Sequence, residues 1–136
     1  MSTRHLRYLF DPASVVLIGA SEQPGSLGAA LTRNLLDGGF KGELFLVNRR
    51  HRRVLKRPAY PHLAALPGVP ELAIVATPTP AVTELLAELG RIGSKVALIT
   101  TPSEAHDSQK ARPTHQSLRE VAHSHGVRLL GPDSFG

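Results

Sequence analysis

The chain has 136 residues, of which 41% are hydrophobic and 20% charged, and these values are typical of one globular domain. It contains no cysteine, which excludes disulfides, thiolate metal sites and a cysteine nucleophile. No run approaches the roughly 18 apolar residues that span a bilayer, and the N-terminus lacks the apolar stretch of a signal peptide, so we expect a cytoplasmic protein without a membrane partner.

The net charge of +5 is concentrated in one short segment. Six cationic side chains fall within nine residues: Arg49, Arg50, Arg52, Arg53, Lys56 and Arg57. The rest of the chain is close to neutral. The high pI is therefore a property of this basic run, and the function of the run depends on where it lies in the fold.

Strand and helix patterns alternate along the chain. A short leading helix is predicted over 3–10, and a strand over about 14–19 is followed by a glycine-rich loop and a helix over about 27–37. The apolar stripe of that helix is predicted to contain Leu27, Ala30, Leu31, Asn34 and Leu35. Further strands are predicted over 43–48, 71–76, 95–100 and 127–130, a weak helical turn over 61–66, and helices over 80–90 and 114–125. The polar segment 101–113 is predicted to have a mobile middle.

This alternation predicts parallel β-α-β crossovers in a single α/β domain. We expect a Rossmann-like, doubly wound parallel sheet of five strands in the order 3-2-1-4-5. Ligands of such sheets bind beyond the carboxyl ends of the strands, where the strand order reverses. Three of those ends carry Gly, Pro or small hydroxyl residues, namely Gly19-Ala20-Ser21, Ala76-Thr77-Pro78 and Thr100-Thr101-Pro102, and the fourth is Val47-Asn48-Arg49.

The loop after the first strand has the residue types of a phosphate site. Gly19 allows a sharp turn off the strand, Pro24-Gly25 forms a tight turn, and Ser26 is placed to cap the next helix. The start of a helix offers unpaired N–H groups and a partial positive charge, which suit a phosphate. The glycines are spaced G-x5-G-x2-G, which departs from the dinucleotide fingerprint, so a purely packing role for this loop remains an alternative.

The basic run follows the second strand, where a dinucleotide fold contacts the ribose. Arginine at this position favours a phosphate on the ribose, because a guanidinium binds two phosphate oxygens at once. Arg49 and Arg50 are the candidates. Two ligands carry both a diphosphate and such a ribose phosphate, NADP and coenzyme A, and the spacing does not separate them.

The order of these motifs resembles the CoA-binding domain of the NDP-forming acyl-CoA synthetases, shared by the succinyl-CoA ligase α subunit. The similarity also extends to the CoA-binding region of large protein-lysine acetyltransferases that carry a GNAT domain. The landmarks are Phe10-Asp11-Pro12-Ala13-Ser14-Val15, Ile18-Gly19-Ala20-Ser21, Pro24-Gly25-Ser26-Leu27-Gly28, Asn34-Leu35-Leu36, Gly38-Gly39-Phe40-Lys41-Gly42, Val47-Asn48, Leu72-Ala73-Ile74-Val75-Ala76-Thr77-Pro78 and Arg128-Leu129-Leu130-Gly131-Pro132.

The resemblance implies a set of contacts with coenzyme A or acetyl-CoA. It implies that the loop wraps the phosphates, through Gly19, Ala20, Ser21, Pro24, Gly25, Ser26, Leu27 and Gly28. It implies that Val47, Asn48, Arg49 and Arg50 contact the adenosine end, Thr77 and Pro78 the adenine or pantetheine, and Thr100 and Thr101 the thiol end. It assigns no catalytic residue to this module.

Departures from the family pattern also carry information. The family usually has Val-Asn-Pro where this chain has Val47-Asn48-Arg49, and a glycine where Lys56 stands. The segment Thr101-Pro102-Ser103-Glu104 is closer to the acetyltransferase branch than to the synthetases. The chain ends at the motif that leads into the next domain of the synthetases, so we expect a module of a longer protein, with a succinyl-CoA ligase-like, ATP-grasp or GNAT continuation.

Other functional classes find less support. The seven histidines are scattered, so we expect surface histidines and no metal site. Ser21 and Ser26 lack the sequence context of a nucleophile, and Glu104 is expected on an exposed loop. An aromatic content of 4% leaves little to stack on bases, which disfavours nucleic acid as a partner of the basic run.

Overall fold

A computed structural model describes residues 11–76, 82–100 and 115–130. The strands are β1 (Ser14–Ile18), β2 (Glu43–Val47), β3 (Arg53–Val54), β4 (Arg57–Tyr60), β5 (Leu72–Val75), β6 (Val96–Ile99) and β7 (Arg128–Leu130). The helices are α1 (Leu27–Asp37), α2 (Val82–Ile92) and α3 (His115–Ser124), with a 3-10 turn over Leu63–Ala65. The predicted α/β class is confirmed. The leading helix and the segment 101–113 lie outside the described residues.

The strands form one mostly parallel sheet in the order β3-β4-β2-β1-β5-β6-β7. The predicted order was wrong, because the strand over 71–76 lies beside β1 on the side away from β2. Its expected position next to β2 is occupied by β4, whose Ala59 and Tyr60 align with Leu46 and Val47. The chain thus reverses its direction of travel across the sheet between β1 and β5, and this is the switch point of the fold.

The prediction of five strands missed the hairpin formed by β3 and β4. Arg53 pairs with Pro58 and Val54 with Arg57, so the two central residues are Leu55 and Lys56. Hairpins of this length normally carry glycine or asparagine in the turn, and this one carries neither. Pro58 further weakens the strand signal, and it is tolerated here because the pairing of β4 with β2 begins only at Ala59.

Helices cover both faces of the sheet, as a doubly wound fold requires. On one face, α2 and α3 bury Leu86, Leu89 and Leu118 against alternate residues of the strands, such as Val16 and Val75. On the other face, the intervening residues form a second core against α1 and the hairpin. Within the described part of the chain, no helix is long and apolar enough to cross a bilayer.

Helix α1 has the predicted bounds, and its predicted apolar stripe is confirmed in part. Leu31 and Leu35 pack against the second core, whereas Leu27, Ala30 and Asn34 are exposed, and the buried positions are Gly28, Ala29 and Thr32. The helix is rotated because its first turn packs directly on the backbone of the preceding loop, a contact that only small residues permit. This rotation leaves the Leu27 side chain 41% exposed at the start of the helix.

Candidate functional site

The candidate site lies at the carboxyl end of β1, beside the switch point. Gly19 adopts a φ of +96°, and a Cβ at this position would lie 3.1 Å from the carbonyl oxygen of Ala76. The Ala76 N–H donates to the carbonyl oxygen of Ile18 at 2.8 Å. The chain can therefore leave β1 only through a residue that tolerates positive φ and has no side chain.

Gly28 brings α1 into direct contact with this turn. A Cβ added to Gly28 would stand 2.1 Å from the carbonyl oxygen of Gly19, a distance that no real Cβ contact has. The helix start and the end of β1 are thus packed backbone against backbone. The two glycines place the first helical N–H groups at the same edge of the sheet as the end of β1.

A tight turn and a serine cap define the start of α1. The Ser26 N–H donates to the carbonyl oxygen of Gln23 at 3.2 Å, with Gly25 at a φ of +83°. The Ser26 hydroxyl accepts from the Ala29 N–H at 3.1 Å and donates to the Gln23 carbonyl oxygen at 2.9 Å. The predicted cap is confirmed, and the hydroxyl is fully engaged by it. The N–H groups of Leu27 and Gly28 have no partner within the helix, and its first turn contains no acidic residue.

A buried threonine ties the middle of α1 to the same loop. The Thr32 hydroxyl donates to the carbonyl oxygen of Gly28 at 2.6 Å and accepts from the Ser21 N–H at 3.3 Å. The Ser21 hydroxyl in turn accepts from the Gln23 N–H at 2.9 Å. Hydrogen bonds within the loop and to α1 thus hold it at Ser21, Gln23 and Ser26.

Asn48 joins this loop to the end of β2. Its side-chain amide donates to the carbonyl oxygen of Ala20 at 2.9 Å, and its side-chain oxygen accepts from the N–H groups of Arg50 and His51, each at 2.7 Å. The Val47 carbonyl oxygen accepts from the N–H groups of Gly19 and Ala20, both at 3.1 Å. The ends of β1 and β2 thus form one hydrogen-bonded unit.

The arginines of the basic run lie next to this unit. Arg49 and Arg50 are exposed and follow Asn48 directly, so they lie at the same edge of the sheet as the glycine-rich loop. Arg52, Arg53, Lys56 and Arg57 are also exposed, and they extend the cationic surface along the hairpin. The structure therefore brings the sequence-predicted residues of the first two β–α junctions together.

The tip of the hairpin contacts the glycine-rich loop as well. A carboxylate oxygen of Glu22 accepts from the Leu55 N–H at 2.8 Å. Leu55 and Lys56 have φ angles of +49° and +68°, which are unusual for residues with a side chain. The resemblance implies a glycine at position 56, and the positive φ of Lys56 is a conformation that glycine adopts without strain.

Of the other predicted site residues, only Thr100 belongs to the described part of the chain. Thr100 follows β6, and its hydroxyl donates to the carbonyl oxygen of Val75 at 2.9 Å, so it lies at the carboxyl edge near β5. Thr77, Pro78 and Thr101 lie outside the described residues. Among the residues that are described, no three His, Asp or Glu side chains are grouped to hold a metal ion.

Sequence reasoning missed Glu22 and Thr32. Glu22 contacts a residue 33 positions away, and Thr32 spans 11 positions to Ser21, so both contacts depend on the tertiary fold. A polar residue on the inner side of an otherwise small-residue helix face was the available signal for Thr32. The sequence holds no such signal for Glu22.

Comparison with known proteins gives a consistent result. Residues 13–136 match the family described as CoA binding domain. The chain is 34% identical over 131 residues to acetate–CoA ligase [ADP-forming] II of Archaeoglobus fulgidus, covering 96% of this chain and 20% of that protein. It is 33% identical over 135 residues to the α subunit of acetate–CoA ligase [ADP-forming] I of Pyrococcus furiosus, covering 96% of this chain and 29% of the relative.

A solved structure shares the fold over nearly the whole chain. The acetyl-coenzyme A synthetase 1 of Ca. Korarchaeum cryptofilum, in complex with phosphate and ADP, superposes with a TM-score of 0.85 at 30% identity, covering 96% of this chain and 28% of that one. The chain thus spans less than a third of the length of these relatives. With a family match over 13–136, a shared fold and the same order of motifs, the chain belongs to the CoA-binding domain family of the NDP-forming acyl-CoA synthetases.

Proposed function

We propose that this chain binds coenzyme A as a module of an NDP-forming acyl-CoA synthetase. The diphosphate lies over the N-terminus of α1, and Arg49 and Arg50 bind the phosphate on the ribose. The observation that carries the proposal is the 2.9 Å hydrogen bond from Asn48 to the Ala20 carbonyl oxygen, which joins the two subsites.

The chemistry of the loop supports the diphosphate subsite. The N–H groups of Leu27 and Gly28 have no helical partner, and the helix dipole favours an anion at that end. Gly28 faces the Gly19 carbonyl oxygen, so it sets the position of the helix start beside the end of β1. Because the Ser26 hydroxyl caps the helix and donates to Gln23, it is not a phosphate donor in this arrangement.

The exposed arginines support the ribose-phosphate subsite. A guanidinium and a phosphate form paired, charge-assisted hydrogen bonds, which are about twice as strong as neutral ones. Arg50 is held from its backbone by Asn48, so the segment does not need to be ordered from a free coil when the ligand binds.

The proposal also concerns whether the bound coenzyme A carries an acetyl group and which longer protein contains this module. We favour free coenzyme A or acetyl-CoA in the same site, with Thr77, Pro78, Thr100 and Thr101 toward the adenine, pantetheine and thiol end. The relatives are ligases, which favours a synthetase parent with further ligase domains, such as an ATP-grasp domain, over a GNAT acetyltransferase. Sequencing the gene beyond the codon for Gly136 distinguishes the two parents.

A thermal-shift panel tests the ligand class. Coenzyme A and acetyl-CoA are expected to raise the melting temperature of the 136-residue chain, whereas NADP and a short DNA duplex leave it nearly unchanged. Ligand at a hundred times its dissociation constant adds about 2.7 kcal/mol to the free energy of unfolding, so the effect is measurable. Stabilisation by NADP alone would replace this proposal with an oxidoreductase domain, and stabilisation by the duplex alone would favour a nucleic-acid binder.

A double substitution tests the ribose-phosphate subsite. Arg49→Ala with Arg50→Ala should weaken coenzyme A by about tenfold or more and dephospho-coenzyme A much less, in titration calorimetry. Arg91→Ala with Arg119→Ala is the matched control, because it removes the same charge from exposed positions on α2 and α3. Equal losses on both ligands would remove Arg49 and Arg50 from the ribose phosphate.

A further inference from the structure

The segment with the two candidate arginines is tethered at both of its ends. At one end, Asn48 bonds to Ala20 of the glycine-rich loop. At the other end the chain enters the hairpin, where the Ala59 N–H donates to the Arg52 carbonyl oxygen at 2.8 Å, and the hairpin tip bonds to Glu22 of the same loop. Two hydrogen bonds to the glycine-rich loop, at Ala20 and at Glu22, thus hold the segment that carries Arg49 and Arg50.

We propose that Glu22 is a positioning residue that sets the selectivity of the site for a nucleotide with a phosphate on its ribose. Its hydrogen bond to the Leu55 N–H fixes the hairpin, and through it the arginine segment, at a constant distance from the helix start. This inference rests on the proposed function, since it concerns how one site recognises two distant phosphates of one ligand.

The conformation of the hairpin tip supports this role. Leu55 and Lys56 both hold positive φ angles, and such a conformation persists only where neighbouring contacts impose it. Val54 is fully buried in the core that also contains Ala20 and Leu46, and Leu55 packs on the same core. The bond from Glu22 is the polar contact between this tip and the loop.

A carboxylate at this position needs an explanation, because it lies in a loop that is proposed to bind an anion. Glu22 is the acidic residue of the segment from Gly19 to Gly28, and its charge opposes a diphosphate. The hydrogen bond to the Leu55 N–H gives the Glu22 side chain a structural role despite its repulsion of a diphosphate.

Glutamine and alanine at position 22 separate the bond from the charge. Both Glu22→Gln and Glu22→Ala remove the negative charge, but only glutamine keeps an oxygen that accepts from the Leu55 N–H. We expect the ratio of affinities for coenzyme A and dephospho-coenzyme A to fall about fivefold in Glu22→Ala relative to Glu22→Gln. Glu120→Ala, at an exposed position of α3, is the control for loss of an acidic side chain.

Hydrogen exchange of the Leu55 N–H tests the hydrogen bond between Glu22 and Leu55 without a ligand. Exchange should be slow in the original chain and in Glu22→Gln, and at least about fivefold faster in Glu22→Ala. Equal affinity ratios in the two variants, or equal exchange rates at Leu55, would overturn the positioning role. Failure of the original chain to bind coenzyme A would instead overturn the proposed function and, with it, the selectivity. The exchange rates would still decide whether the Glu22–Leu55 hydrogen bond holds the hairpin tip.

Discussion

Replacement of Gly28 by alanine tests whether the close approach of α1 to the end of β1 builds the site. The added methyl carbon would stand 2.1 Å from the Gly19 carbonyl oxygen, whereas carbon–oxygen contacts are normally about 3.3 Å or longer. Gly19 has little room to retreat, because its N–H donates to the Val47 carbonyl oxygen and even a Cβ built on it would lie only 3.1 Å from the Ala76 carbonyl oxygen. Helix α1 must therefore move away by about 1 Å, since the contact is short by that amount.

The expected effect on stability follows from two opposing contributions. Forcing a methyl group into a closed space costs about 1–3 kcal/mol, and the higher helix propensity of alanine returns up to about 1 kcal/mol. We therefore expect the free energy of unfolding to fall by about 1–2 kcal/mol. A displacement of about 1 Å also misaligns the N–H groups of Leu27 and Gly28, because hydrogen-bond lengths tolerate only a few tenths of an ångström, so coenzyme A should bind about tenfold more weakly.

Urea unfolding followed by circular dichroism and titration calorimetry with coenzyme A measure the two effects. Gly68→Ala is the matched control, because a Cβ there would make only an ordinary 3.5 Å contact with the Phe45 ring. That variant should unfold and bind as the original chain does. A Gly28→Ala variant with unchanged stability and unchanged affinity would refute the reasoning, since it would mean that the helix start can shift without consequence.

Three further predictions concern contacts around the same loop. Lys56→Gly should raise the free energy of unfolding by about 0.5–1 kcal/mol in urea titrations, because it relieves a positive φ, whereas Lys41→Gly, at an exposed position without positive φ, should lower it. Thr32→Val should cost about 1–2 kcal/mol by leaving the Ser21 N–H unpaired, and Thr32→Ser should restore most of it; equal stability of the two variants would contradict this. Asn48→Asp keeps the oxygen that accepts from the Arg50 N–H but loses the donor to the Ala20 carbonyl oxygen. It should therefore lower the free energy of unfolding and the affinity for coenzyme A, each by about 1–2 kcal/mol. An unchanged affinity in calorimetry would show that Asn48 does not link the two subsites.

Local signals were sufficient to predict most of the elements. Helix α1 begins and ends where the sequence predicts, because Ser26 caps one end and Gly38 closes the other, and both effects act within a few residues. The strands β1, β2, β5, β6 and β7 were predicted to within one or two residues, since each is a short apolar run bounded by turn-forming residues.

The order of the strands depends on pairings that the local sequence does not encode. The position beside β2 is taken by β4, a strand that follows only ten residues after β2 and carries Pro58. Its two-residue turn, Leu55-Lys56, replaces the usual glycine with side chains that burial of Val54 and the bond from Glu22 hold in place. Tertiary contacts override the turn preference here, which is why the prediction of five strands missed this hairpin.

The candidate site divides in the same way between local and long-range information. The glycines and the cap at residues 19–28 were predictable because each is required by a backbone turn or a close approach at its own position. The connections that make one site from two junctions, through Asn48 and Glu22, span 28 and 33 residues. Residue types can therefore suggest a phosphate loop and an arginine pair, but only the folded chain can establish that they lie together.

This division has a consequence for how the proposed site recognises its ligand. The proposed diphosphate subsite consists of the backbone N–H groups of Leu27 and Gly28, in a helix start that Ser26 caps and Thr32 braces, so we expect it to bind any anion of suitable shape with little selectivity. Selectivity for a phosphate on the ribose then depends on two arginines whose side chains are exposed and individually free to rotate. Such side chains discriminate only if their backbone is fixed relative to the loop. We therefore expect the two cross-links to affect which nucleotides bind, although neither Asn48 nor Glu22 needs to contact the ribose phosphate.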